Sequence, residues 1–133
     1  MDELIENPDN IIKYWKSSSE QNYVTMCNLC SSKDYNWALF IGHLVLEKIL
    51  KAIYVKQYSK HPLFTHDLLR LAKKSNLEIS ENHEEWLDEI STFNLNARYD
   101  NYKQDFQKRC TSEYTQIWIK RIEELRLWLI NQL

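Results

Sequence analysis

The chain has one glycine and two prolines in 133 residues, against average usage of about 7% and about 5%. Tight turns, hairpins and bulges draw on both residue types. Their scarcity speaks against a sheet protein and for long helices joined by few loops. Cysteine is also sparse, and its count of three is odd, which argues against a disulfide framework and suits free thiols in a reducing compartment. No apolar run reaches the roughly 18 residues that a membrane span needs, and the N-terminus carries no apolar leader core. The expectation is a cytoplasmic protein with no membrane partner. An excess of either charge sign is missing too: 17 basic residues stand against 19 acidic ones, a net charge of −2. The global basic signature of a nucleic-acid binder is therefore lacking.

What is present points to a packed helical domain. The composition is 44% hydrophobic and 27% charged, well clear of the disordered class. The length fits one domain spanning 1–133, able to bury a core without disulfides or metal. Five Trp and eight Tyr make that core rich in aromatics. Local charge is uneven. Between Glu47 and Lys74 seven Lys or Arg face two acids, and between Glu78 and Glu89 six acids stand with no Lys or Arg. Such polarity steers partners or simply forms a solvated face.

Apolar residues recur at helical spacing in five segments, which predicts an all-α, antiparallel up-and-down bundle of about five helices. The first runs from about Pro8 to Cys30, with Ile12, Trp15, Ser19, Met26 and Cys30 on one face. Asp34 is expected to cap a second helix that reaches about Tyr58. It is apolar nearly all round from Trp37 to Leu46, as befits the buried centre of a bundle. Ser59 to Phe64 is a loop with Pro62. Thr65 is expected to cap a short third helix with Lys73 and Lys74 in its last turn. Ser80 caps a fourth, striped by Trp86, Leu87, Ile90, Phe93 and Ala97. Arg98 to Arg109 is polar and aperiodic and is read as an ordered loop. Thr111 or Ser112 then opens the last helix, with Tyr114, Ile117, Trp118, Ile122, Leu125, Trp128 and Leu129 inward.

Few residues carry recognisable chemistry. Cys27 and Cys30 form a C-x-x-C pair inside a helical pattern and read as ordinary core thiols. The histidines His43, His61, His66 and His83 lack the i, i+4 spacing of a helical metal site, so neither a metal nor a cofactor is expected. His43, Glu47 and Lys51 form a polar stripe at i, i+4, i+8 on an otherwise apolar helix. Burying those charges is costly unless they pair. The stripe is either a self-paired seam or a polar groove between helices. Arg98-Tyr99-Asp100 follows a helix, and an Arg fork can clamp phosphate while a Tyr stacks on a base.

Leu46-Glu47-Lys48-Ile49-Leu50-Lys51-Ala52, Thr65-His66-Asp67-Leu68-Leu69 and Ala97-Arg98-Tyr99-Asp100-Asn101-Tyr102 follow one another along the chain. Together, in this order, they resemble the HEPN domain family, the higher eukaryote and prokaryote nucleotide-binding domains. The resemblance covers the chain from about Tyr14. It implies an up-and-down bundle, a homodimer, and binding of nucleotide or RNA, often beside a small nucleotidyltransferase in toxin–antitoxin modules. It points to Glu47, Lys48, Lys51, His66, Asp67, Arg98, Tyr99 and Asp100 as ligand-binding residues. Many members are metal-independent RNases with an R-x(4–6)-H motif. Here Lys103, Gln104 and Asp105 stand where that His would follow Arg98, and Asp100 replaces the usual Pro. The general acid/base that ribose 2′-OH chemistry wants is missing from the motif. No catalytic residue is therefore assigned, and a binding domain is the leading expectation. The alternative is a divergent RNase toxin in which His43 or His66 approaches Arg98 in space.

Overall fold

A computed structural model of the chain describes residues 3–133. Six helices follow in order: α1 (Pro8–Ser31), α2 (Tyr35–Tyr58), α3 (Leu68–Lys74), α4 (Glu81–Arg98), α5 (Asp100–Arg109) and α6 (Ser112–Ile130). Among the described residues there is no strand, so the all-helical bundle expected from the sequence is what forms. No helix among them is long and apolar enough to cross a membrane.

α2 is the axis of the bundle and touches α1, α3, α4, α5 and α6. Its buried residues include Leu39, Val45, Leu46, Ile49, Leu50, Ile53 and Val55, which lie on all sides of the helix. A helix apolar all round is stable only when surrounded, and here it is. The single glycine, Gly42, faces both α1 and α6. A Cβ at that position would lie 2.6 Å from Ile122 Cδ1 and 3.2 Å from Met26 Sδ.

Helix ends follow local chemistry, with two departures from expectation. Ser80 Oγ accepts the His83 amide and Thr111 Oγ1 accepts the Tyr114 amide, as Ncap residues do. At α3 the cap is Asp67, whose carboxylate accepts the Arg70 amide, whereas Thr65 Oγ1 accepts the amide of Asp67 itself. Thr65 thus organises the approach to the helix one step earlier than expected. Asp34 stands at the start of α2 but makes no side-chain cap; its carboxylate accepts from Ser32 Oγ at 2.6 Å.

The larger correction concerns Arg98 to Arg109, expected as a loop: Arg98 ends α4, and Asp100–Arg109 is helix α5. Only Phe106 is buried in it, its ring 5.5 Å from that of Phe93 on α4. One anchor in ten residues cannot display a period, so the pattern is invisible to a reading that depends on apolar recurrence. Charge order gives the helix away instead: Asp100 in its first turn, Lys108 and Arg109 in its last.

Part of the uneven charge of the sequence pairs between helices at the surface. α3 and the acid-rich α4 pack together, and Lys73 Nζ lies 3.8 Å from Glu84 Oε1. The C-x-x-C residues are not core thiols: Cys27 is exposed and Cys30 half-buried, and only Cys110 is buried.

Candidate functional site

The polar stripe of α2 is inside the protein. His43 is fully buried and Glu47 and Lys51 nearly so. Lys51 Nζ lies 3.1 Å from Glu47 Oε2, the i, i+4 pairing with Glu on the N-terminal side. The Lys51 ammonium also sits 5.0 Å from the centre of the Trp15 ring on α1, which gives the buried cation a second partner. The seam therefore pairs with itself, but it does more. His66, in the segment leading into α3, donates its Nδ1–H to Glu47 Oε1 at 2.7 Å. His43 Nε2–H donates to the His66 carbonyl at 2.9 Å. Two residues of α2 thus hold one loop residue by its backbone and by its ring.

This arrangement leaves the His66 side chain 53% exposed, with Nδ1 as its bonded nitrogen. A carboxylate on one ring nitrogen fixes tautomer and orientation and leaves the other nitrogen for a ligand or a proton. His43 pays for the anchoring: its Nδ1 is buried without a partner. Desolvation pushes the His43 pKa down, against the hydrogen bond to the His66 carbonyl and the charge of Glu47. Burial thus favours the neutral ring.

The other residues expected at a site fall elsewhere. Lys48 turns toward α1 and donates to Ser18 Oγ at 2.7 Å. Burial lowers its pKa, opposed by Glu47. The neighbouring Ser19 donates to the Val45 carbonyl at 2.8 Å. The serine run in α1 therefore serves the α1–α2 seam, where Lys48 is half-buried and Lys51 buried. Asp67 is occupied as the α3 cap. Arg98 directs Nε and Nη2 to Asn94, and its guanidinium lies 5.3 Å from the ring centre of Tyr99. Neither His43 nor His66 is among its partners.

Tyr99, Tyr102 and Lys103 are one helical turn apart at the start of α5, and both tyrosines are exposed. Lys103 Nζ lies 5.8 Å from the ring centre of Trp37 at the start of α2, and Trp37 stands edge-on to Phe40. Trp37 and Lys103 were not singled out from the sequence. The i, i+3, i+4 relation of Tyr99, Tyr102 and Lys103 was available there, but only to a reading that made 100–109 a helix.

The helical bundle carries the three quoted segments on α2, at the entrance to α3 and across the α4–α5 junction. The HEPN domain family profile matches residues 12–133, and the chain belongs to the HEPN domain family. No curated protein and no solved structure matches it.

Proposed function

We propose that this HEPN domain binds single-stranded RNA or a nucleotide without cleaving it. The observation that supports the reading is the exposed aromatic and cationic array at the α4–α5 junction: Arg98, Tyr99, Tyr102 and Lys103 beside Trp37. Aromatic faces stack on bases irrespective of sequence, and adjacent cations meet the phosphates. Arg98, steadied by Asn94, presents its charge next to Tyr99. Lys103 takes the ligand-binding part that the family resemblance implied for Lys48 and Lys51. Asp100, between these residues, keeps α5 in place as its first-turn acid.

The non-catalytic part of the reading rests on Arg98 having no imidazole partner, where a divergent RNase toxin would need one. A small nucleotidyltransferase as partner, a homodimeric state and a cytoplasmic setting belong to the same reading.

The test is paired. Affinity for a fluorescent single-stranded RNA at low salt and melting temperature are measured on wild type, Arg98→Ala, Arg98→Lys and Tyr99→Ala. Loss of one stacked base is worth about 1–3 kcal/mol, so Tyr99→Ala should weaken binding about tenfold. Arg98→Lys should also weaken it, because the planar fork is lost although the charge stays. Arg98→Ala should leave stability within about 1 kcal/mol. Equal affinity across the four proteins rejects the surface, and RNA cleavage that depends on Arg98 rejects the non-catalytic reading.

A further inference from the structure

His66 opens onto a cleft of about 560 Å³ between the segment before α3, the outer face of α4 and the end of α5. Its lining includes His66, Arg109, Thr65, Asp67, Glu89 and Asn96. Arg109 reaches it from the last turn of α5, its guanidinium 5.3 Å from the ring centre of Phe106 and 5.9 Å from that of Tyr114. No carboxylate among the described residues lies within ion-pair distance of it. The cleft therefore holds an imidazole whose inner nitrogen is committed to Glu47 and a guanidinium shelved on two aromatic rings with its fork unclaimed.

The carboxylates of the lining narrow the ligand. Asp67 spends its charge on the Arg70 amide. Glu89 has no side-chain partner among the described residues, and its charge also acts on Tyr114, as that of Arg109 does. A phosphodiester strand running the length of the cleft would bring one phosphate after another against Glu89. A chain end would not. It would place one phosphate at His66 and Arg109 and turn a sugar hydroxyl or base amino group to Glu89 and Asn96, which accept hydrogen bonds.

We propose that this cleft takes a phosphate monoester, the terminal phosphate of a nucleotide or of an RNA end, between His66 Nε2 and the Arg109 guanidinium. A monoester carries about −1.5 to −2 charges and three acceptor oxygens. One proton, brought by the ring or by the monoester, joins Nε2 to a phosphate oxygen, and an Arg fork gives two N–H more. Glu47 is the positioning residue: it touches no ligand and fixes the ring that does. The nucleotide nature of the ligand rests on the function proposed above; the monoester specificity rests on the cleft alone.

The protein labelled with ¹⁵N-histidine is titrated with AMP and with adenosine, and the ring nitrogens are followed by long-range ¹H–¹⁵N spectra. In parallel, affinities are measured for one RNA oligonucleotide bearing a 5′-phosphate, a 3′-phosphate or only hydroxyl ends. AMP should move His66 Nε2 and adenosine should not. One phosphorylated end should bind about tenfold tighter than the hydroxyl form to the wild type, and His66→Gln and Arg109→Ala should each bind the two forms equally. If hydroxyl and phosphate forms bind alike, the monoester site is wrong and RNA binding survives. If AMP moves His66 but no oligonucleotide binds, the RNA reading is wrong and the monoester site survives as a mononucleotide site. A His66 resonance that ignores AMP and a phosphorylated end that adds nothing overturn the proposal.

Discussion

His66 holds its imidazole at the surface while Nδ1 is tied, at 2.7 Å, to a Glu47 carboxylate that lies inside the bundle. The other oxygen of the same carboxylate meets Lys51. One buried acid thus serves both a core cation and a surface ring. The arrangement couples the stability of α2's polar seam to the geometry of the segment that enters α3.

Removing Glu47 should be expensive. Glu47→Ala leaves the Lys51 ammonium buried without its carboxylate and releases the His66 ring, and breaking such a pair costs about 3–5 kcal/mol. Replacing both partners, Glu47→Leu with Lys51→Met, removes the buried charges together and should cost less than the single change. Denaturant unfolding of the two variants decides it: a double variant at least as unstable as the single one would mean that the loss comes from the loop anchor.

His43 should make the protein acid-sensitive. Burial holds its folded-state pKa below the usual histidine value, which is about 6.5 in an unfolded chain. As pH falls the unfolded state takes up the proton first. The stability contributed by neutral His43 is therefore complete above about pH 6.5 and is lost as pH falls through the folded-state value. Protonating Nδ1, which has no partner, would bury an unpaired N–H. His43→Gln, which keeps an amide donor for the His66 carbonyl, should flatten the fall in melting temperature between pH 7 and pH 5. An unchanged slope would assign the acid sensitivity to other groups.

Gly42 should tolerate little growth. An added Cβ meets Ile122 Cδ1 at 2.6 Å and Met26 Sδ at 3.2 Å, and both residues are fully buried. Alanine gains about 0.5–1 kcal/mol of helix propensity that offsets part of the crowding. Gly42→Val brings two methyl groups more and should lower stability by about 1–3 kcal/mol. Thermal unfolding that matches wild type would show that α1 and α6 can move apart without loss.

The three thiols should react in order of exposure. Cys27 is at the surface, and burial raises the pKa of Cys30. Burial pushes Cys110 up to about 11, with Arg109 pulling the other way. The thiolate is the reactive form. At pH 8 a thiol reagent should modify Cys27 first and Cys110 only on unfolding, as mass spectrometry of timed samples would read. Early modification of Cys110 would mean that the α5–α6 junction opens in the native state.

Much of the protein was settled by the sequence acting locally. The lack of Gly, the apolar periods and the caps at Ser80 and Thr111 define helices through interactions that reach only a few residues along the chain. The all-round apolar run of α2 likewise dictates that this helix is central, because only enclosure satisfies it. Even the pairing of Glu47 with Lys51 follows from i, i+4 spacing.

The tertiary structure decided the rest. Helix α5 has one buried side chain, Phe106, packed against Phe93, and a single anchor leaves no period to read. His66 meets Glu47 across 19 residues of chain, and Lys48 and Lys51 were drawn into the α1 seam although their spacing suited a groove just as well. Arg109 reached the His66 cleft only because α5 folds back beside α4. Periodicity records which face of a helix is apolar; which polar groups then meet depends on how the helices cross, and that depends on packing over the whole chain at once.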